Sequence, residues 1–188
     1  MIEPFDAAWE VGSFLAGHGQ AYALIGGLAV QIWGDARLTT DADLSLAAPL
    51  TTSSAGLVRL ITERFPSRAA DPVDFALKTR MILVTASNGV EVDISLALPG
   101  YEDKLFARTV DYEIGPGKPI RLCSAEDLII HKAVAGRPQD LSDIQGVVLR
   151  QGPNLDVTYT RQWLQAFAEA LDNPDVVERF EAAWRRRR

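Results

Sequence analysis

Two stretches of this chain alternate acidic or hydroxyl side chains with apolar ones without a break. That alternation constrains the fold more than any other feature. In the first, Asp41, Asp43 and Ser45 interleave with Ala42, Leu44 and Leu46; in the second, Glu91, Asp93 and Ser95 interleave with Val92, Ile94 and Leu96. A period of two places successive side chains on opposite faces of an extended backbone. Each stretch therefore reads as a strand with one face in a core and the other lined with acid.

The rest of the pattern fills in around these strands. Phe5, Trp9, Phe14 and Leu15 predict a helix over residues 4–17, ended by Gly17 and Gly19. Tyr22–Ile25 predicts a short strand running into Gly26-Gly27, with a helix from Leu28 to Trp33. A helix is expected over 53–65, stopped by Pro66, then strands at Val73–Leu77, Arg80–Thr85 and Val90–Leu96, the last two joined through Ser87-Asn88-Gly89. Tyr112–Arg121 predicts a hairpin around Gly115-Pro116-Gly117. Beyond Cys123 the periodicity is helical: a helix capped by Ser124 and closed at Gly136-Arg137-Pro138, then helices near 139–150, 157–170 and 174–184. The class is α+β, with an α/β unit over residues 1–122 and a helical unit over 123–188. At 188 residues and 47% hydrophobic, the chain is long enough for a real core.

Charge and cysteine usage exclude several classes. The net charge is −6, and four of the 19 basic residues are Arg185–Arg188 at the end of the chain. An acidic body argues against coating DNA through an extended basic face, though a local cationic nucleotide site remains compatible with it. No apolar run reaches the roughly 20 residues of a membrane span, the N-terminus lacks the basic start of a secretory signal, and a single Cys123 forms no internal disulfide. A cytoplasmic protein is expected. There is no phosphate-binding P-loop, no zinc-spaced Cys/His cluster and no Ser/His/Asp arrangement.

The chemistry concentrates in a few residues. Glycines at a strand-to-helix turn let a phosphate approach the backbone, and a helix start offers unpaired N–H donors; Gly26-Gly27 reads as such a turn, or as a purely structural one. Asp41 and Asp43 lie on one side of their strand, about 6–7 Å apart at the backbone. Such a pair calls for a cation, and Mg²⁺ or Mn²⁺ suits carboxylate oxygens; the plain alternative is a solvated acidic face. Asp93 is a third carboxylate able to join them if its strand lies alongside, with Glu91 its competitor. Lys132 interrupts an apolar helix, as a triphosphate contact or as a snorkelling surface lysine; Asp140 and Asp143 could hold it and Arg137 in place. Arg37, four residues ahead of the acidic pair, is expected at phosphate or as a plain loop residue, and Thr40 is expected at the nucleotide.

Gly26-Gly27, a spacer of 13 residues, Asp41-Ala42-Asp43 and a later isolated Asp93 resemble the nucleotidyltransferase superfamily typified by DNA polymerase beta. Gly27 stands where many members carry serine. More narrowly, ALIGGLAVQIWGDARLTTDADLSL and EDLIIHKAVAGRPQDLSDI are similar to the AbiEii/AbiGii group of toxin-type nucleotidyltransferases. The resemblance implies a nucleotidyltransferase fold, with Asp41, Asp43 and Asp93 as catalytic metal ligands and Gly26 and Gly27 at the phosphates. It further implies that Lys132, Arg137, Asp140 and Asp143 line a nucleotide site. An NTP would donate NMP to an acceptor hydroxyl, first of all in RNA such as tRNA, with a cognate antitoxin as partner. An antibiotic (aminoglycoside or lincosamide) or a protein hydroxyl is the alternative acceptor, and a non-catalytic binding module of the same fold is the rival outside enzymes.

Overall fold

A computed structural model describes residues 3–48, 54–97 and 100–187. The chain parts into two compact units, Met1–Leu28 with Leu38–Cys123, and Ala29–Arg37 with Ser124–Arg188.

The first unit is built on a mixed sheet of six strands: β1 (Tyr22–Ile25), β2 (Ala42–Leu46), β3 (Met81–Thr85), β4 (Glu91–Leu96), β5 (Val110–Glu113) and β6 (Pro119–Leu122), in the spatial order β3-β4-β2-β1-β6-β5. The two alternating stretches become β2 and β4, and they lie side by side and parallel. Their apolar residues Ala42, Leu44, Leu46, Val92, Ile94 and Leu96 are all buried. Helix α1 (Glu3–Gly17) packs across β1, β2, β4 and β6 through Ala7, Ala8, Val11 and Leu15. Fully burying each large aliphatic chain stabilises by about 1.5–3 kcal/mol, so this layer is the unit's main support. Gly12 lets the Tyr22 ring in, since a Cβ there would stand 2.5 Å from the ring. Helix α2 (Gly26–Trp33) leaves the end of β1, and α3 (Ser54–Arg64) follows β2. Ser53, the expected first residue of α3, lies outside the described residues, as does Arg188.

One expectation is overturned. Val73–Leu77 is not a strand but the middle of a helix, α4 (Pro72–Thr79). Asp71 caps its start, its side chain accepting from the Asp74 N–H at 3.0 Å, and Pro72 opens the first turn. Arg80, expected in the next strand, instead ends the helix in the left-handed region (φ 61°), its N–H donating to Ala76 O at 2.9 Å. Capping hydrogen bonds are local and form at once, whereas five alternating residues become a strand only if a neighbour pairs with them. A short helix that the periodicity does not signal, α5 (Tyr101–Ala107), precedes the β5–β6 hairpin.

The second unit is helical: α6 (Ala125–Ala135), α7 (Pro138–Gln151), α8 (Val157–Ala170) and α9 (Asp175–Arg186). Ser124 caps α6 through the Asp127 N–H at 3.0 Å, and Gly136 closes it at φ 63°. Leu128, Ile129, Ile130, Ile144, Val147, Val148, Leu164 and Phe180 form the core. Residues 29–37 join this unit: Arg150 Nη1 donates to Gly34 O and Gln151 Nε2 to Trp33 O, both at 2.7 Å. Among the described residues, no helix is long and apolar enough to cross a membrane.

Candidate functional site

Sheet register assembles the acidic face of the first unit. β1 runs antiparallel to β2 with Ile25 opposite Asp43, so the next residue, Gly26, opens α2 directly against that carboxylate. Gly26 has φ +64°, and a Cβ there would stand 1.9 Å from Asp43 Oδ2. Only glycine satisfies both the backbone and the space. On the other side of β2, Asp43 and Asp93 are direct partners across the parallel pair, about 4.8 Å apart at the backbone. Asp41 lies in the bend just before β2, its Oδ1 accepting from Thr39 Oγ1 at 2.8 Å. Thr40 between them is exposed, and Gly27 is buried in the first turn of α2.

Two carboxylates on neighbouring strands repel unless a cation answers them. Part of the answer is Arg68. Its Nη2 donates to Asp93 Oδ1, its Nη1 lies 3.0 Å from Glu91 Oε2, and its Nε donates to Val84 O at 3.3 Å. The backbone beneath it is pinned to β3, with the Arg68 N–H donating to Leu83 O and the Thr85 N–H to Pro66 O, both at 2.9 Å. Sequence reading does not find Arg68, which sits in no motif. The only signal is a basic residue just after a helix stop, in a segment free to lie along a sheet.

The donors on this face, Asp41, Asp43 and Asp93, are all hard carboxylate oxygens, the chemistry that Mg²⁺ or Mn²⁺ selects. All three fit such an ion in kind, and Asp43 and Asp93 share a face. Yet among the described residues no three acidic, His or Cys side chains are gathered closely enough to grip one. Farther along the same face of β2, buried Ser45 donates to Glu102 Oε1 at 3.4 Å. Burial pushes the Glu102 carboxyl up to about 7, against the opposing pull of Ser45 and Arg80. Like Arg68, Glu102 escapes the sequence, because α5 carries no periodic signal.

The second unit holds a chain of alternating charges. Lys132, only 5% exposed, places Nζ 3.0 Å from Asp140 Oδ1 and 2.8 Å from Asp143 Oδ2. Arg37 grips Asp143 with both arms of its fork, Nε at 2.9 Å and Nη2 at 3.1 Å. Arg137 closes the other end on Asp140, through Nε at 2.7 Å, Nη2 at 3.2 Å and its backbone N–H at 3.0 Å. Burial raises the Asp140 carboxyl, but the Arg137 and Lys132 hydrogen bonds outweigh it and hold the group below its ordinary range. The network joins Lys132, Arg137, Asp143 and Arg37 around Asp140 in one unit, while Asp41, Asp43, Asp93, Gly26 and Gly27 belong to the other. The Arg37–Asp143 pair, spanning 106 residues, is not legible in either motif.

The architecture is that of nucleotidyltransferase-like proteins. The chain is similar in fold to the crystal structure of an antigenic nucleotidyltransferase-like protein from Paracoccidioides brasiliensis, with a TM-score of 0.55 at 16% identity over 94% of this chain and 91% of that one. The antibiotic-resistance factor ANT(2'')-Ia aligns over 99% of this chain and 91% of its own in its solution structure, at TM-score 0.47 and 16% identity. Its crystal complex with adenylyl-2''-tobramycin gives 0.46 and 17% over 99% and 97%. No protein-family model and no curated protein sequence matches the chain.

Proposed function

We propose that this chain is a divalent-metal-dependent nucleotidyltransferase that moves NMP from an NTP to an acceptor hydroxyl and releases pyrophosphate. One observation carries the reading: the glycine opening α2 lies against Asp43, and Asp43 is the register partner of Asp93 on the adjacent parallel strand. That brings a phosphate-compatible helix start and two carboxylates to one end of one sheet. Asp41, Asp43 and Asp93 would hold Mg²⁺ or Mn²⁺, which when bound neutralises triphosphate charge and makes the acceptor hydroxyl more acidic. The acceptor oxygen bonds to the α-phosphorus, its proton passes to Asp93, and pyrophosphate leaves with the electrons of the broken P–O bond. Gly26 and Gly27, at the start of α2, would receive the phosphates. Lys132, Arg137 and Asp143 enter this reading as nucleotide contacts through the sequence resemblance, and Arg37 and Thr40 through their place just ahead of Asp41 in the sequence.

The acceptor in this reading is RNA, foremost tRNA, and the setting a toxin–antitoxin pair in the cytoplasm. Support for it comes from the two segments similar to the AbiEii/AbiGii group. The test is a transfer assay with Mg²⁺, each α-labelled NTP in turn and total tRNA, beside the Asp41→Asn/Asp43→Asn variant. Label on tRNA with one NTP, lost in the variant, is the expected result. Equal labelling by the variant overturns the mechanism. Label that appears only on an aminoglycoside, lincosamide or protein acceptor overturns the RNA assignment and leaves the chemistry standing.

A further inference from the structure

Among the described residues Arg68 is the cation placed on the third carboxylate, and the rest of the site explains neither its grip nor its second partner. Its guanidinium faces two acids on one face of β4, two residues apart: Asp93, partner of Asp43, and Glu91, 61% exposed at the strand's start. The backbone under Arg68 is fixed to β3, and its Nε is committed to Val84 O. The two terminal nitrogens thus stand as a fork with one prong on each acid. A divalent ion and a guanidinium on the same carboxylate repel each other strongly in a half-buried setting. Glu91 offers the guanidinium a place to remain when Asp93 is claimed.

We infer that Arg68 is a built-in counter-ion that competes with the divalent metal for Asp93, and that Glu91 is the residue that retains it when the metal binds. This rests on the reading of Asp41, Asp43 and Asp93 as metal ligands. Arg68 on Asp93 keeps the like charges of Asp43 and Asp93 on adjacent strands tolerable. On metal binding its Nη2 prong lets go while Nη1 stays on Glu91. Arg68 and Glu91 are positioning residues: they set the affinity of the site without touching substrate.

The experiment is Mn²⁺ binding to the full chain, without nucleotide, followed by calorimetry or by the loss of the free-ion electron paramagnetic resonance signal. Arg68→Gln should tighten Mn²⁺ about tenfold, since it removes a positive charge a few ångströms from the ion. Glu91→Gln should weaken it several-fold in the parent, because Arg68 is then left with Asp93 alone. The same change should do nothing in the Arg68→Gln background. Unchanged or weaker binding by Arg68→Gln overturns the inference. So does equal weakening by Glu91→Gln in both backgrounds, which would make Glu91 a ligand. Thermal melting checks that each variant folds. If Arg68→Gln does not, Arg68→Met, which also removes the charge, must tighten binding in its place, and no change there overturns the inference. Asp41→Asn/Asp43→Asn separates the two levels. If it abolishes binding while the Arg68 variants change nothing, only the Arg68 inference falls. If the parent binds no Mn²⁺ at all, the metal-site reading falls and takes the inference with it.

Discussion

At position 26 a single added methyl group meets two obstacles, a left-handed backbone and a carboxylate oxygen 1.9 Å away. Gly26→Ala is therefore expected to lose about 1–3 kcal/mol in urea unfolding. It should also abolish nucleotidyl transfer, because Asp43 must move to admit the methyl. Lys132 tests a different kind of residue. It is enclosed by Asp140 and Asp143, each of which also keeps an arginine, so Lys132→Met removes the shared central cation and should cost about 1–3 kcal/mol, against far less for a surface lysine such as Lys104. The carboxylates of the site were legible in the sequence because strand alternation announces which side chains share a face. Arg68 was not, since its pairing with Asp93 joins residues 25 apart through a strand edge that no local pattern encodes.

Elements were legible where periodicity had several residues to act on and lost where a cap decided the matter. Strands β2 and β4 and helices α6 to α9 fall where alternation and helical spacing place them. The Val73–Leu77 segment alternates too, yet Asp71 and Pro72 start a helix through it. Asp71→Ala should remove that start and lower stability by about 1 kcal/mol. Amide hydrogen exchange should quicken in α4, with β2 and β4 unaffected. Equal protection in α4 would mean that packing on β3 and α3, rather than the cap, holds the helix. The adjacency of β2 and β4 is not legible in the sequence, because no local feature states which strands pair. It is the parallel register that makes a site of two separate acids.

For the molecule as a whole, two carboxyls pull stability in opposite directions along the pH scale. Asp140 is held below its ordinary value, so its contribution is present above that range and lost as acid protonates it. Glu102 is raised to about 7, so the folded state keeps a proton that the unfolded chain gives up sooner, and stability falls as pH climbs toward that value. Melting curves from about pH 3 to about pH 8 should show both slopes. Asp140→Asn should flatten the acid limb and Glu102→Gln the upper one, the latter by no more than about 2 °C because solvent reaches that carboxyl. The parallel pairing of β2 with β4 also governs when the protein first becomes what it is. Asp43 and Asp93 are separated by fifty residues of chain, so at a synthesis rate of roughly 5–20 residues per second the first waits about 3–10 s for the second to be made. During that interval the nascent chain carries two of its three acids, Asp41 and Asp43, with β1 as the partner of β2 already synthesised. On the proposed function, transfer by the growing polypeptide would begin only once β4 has paired beside β2.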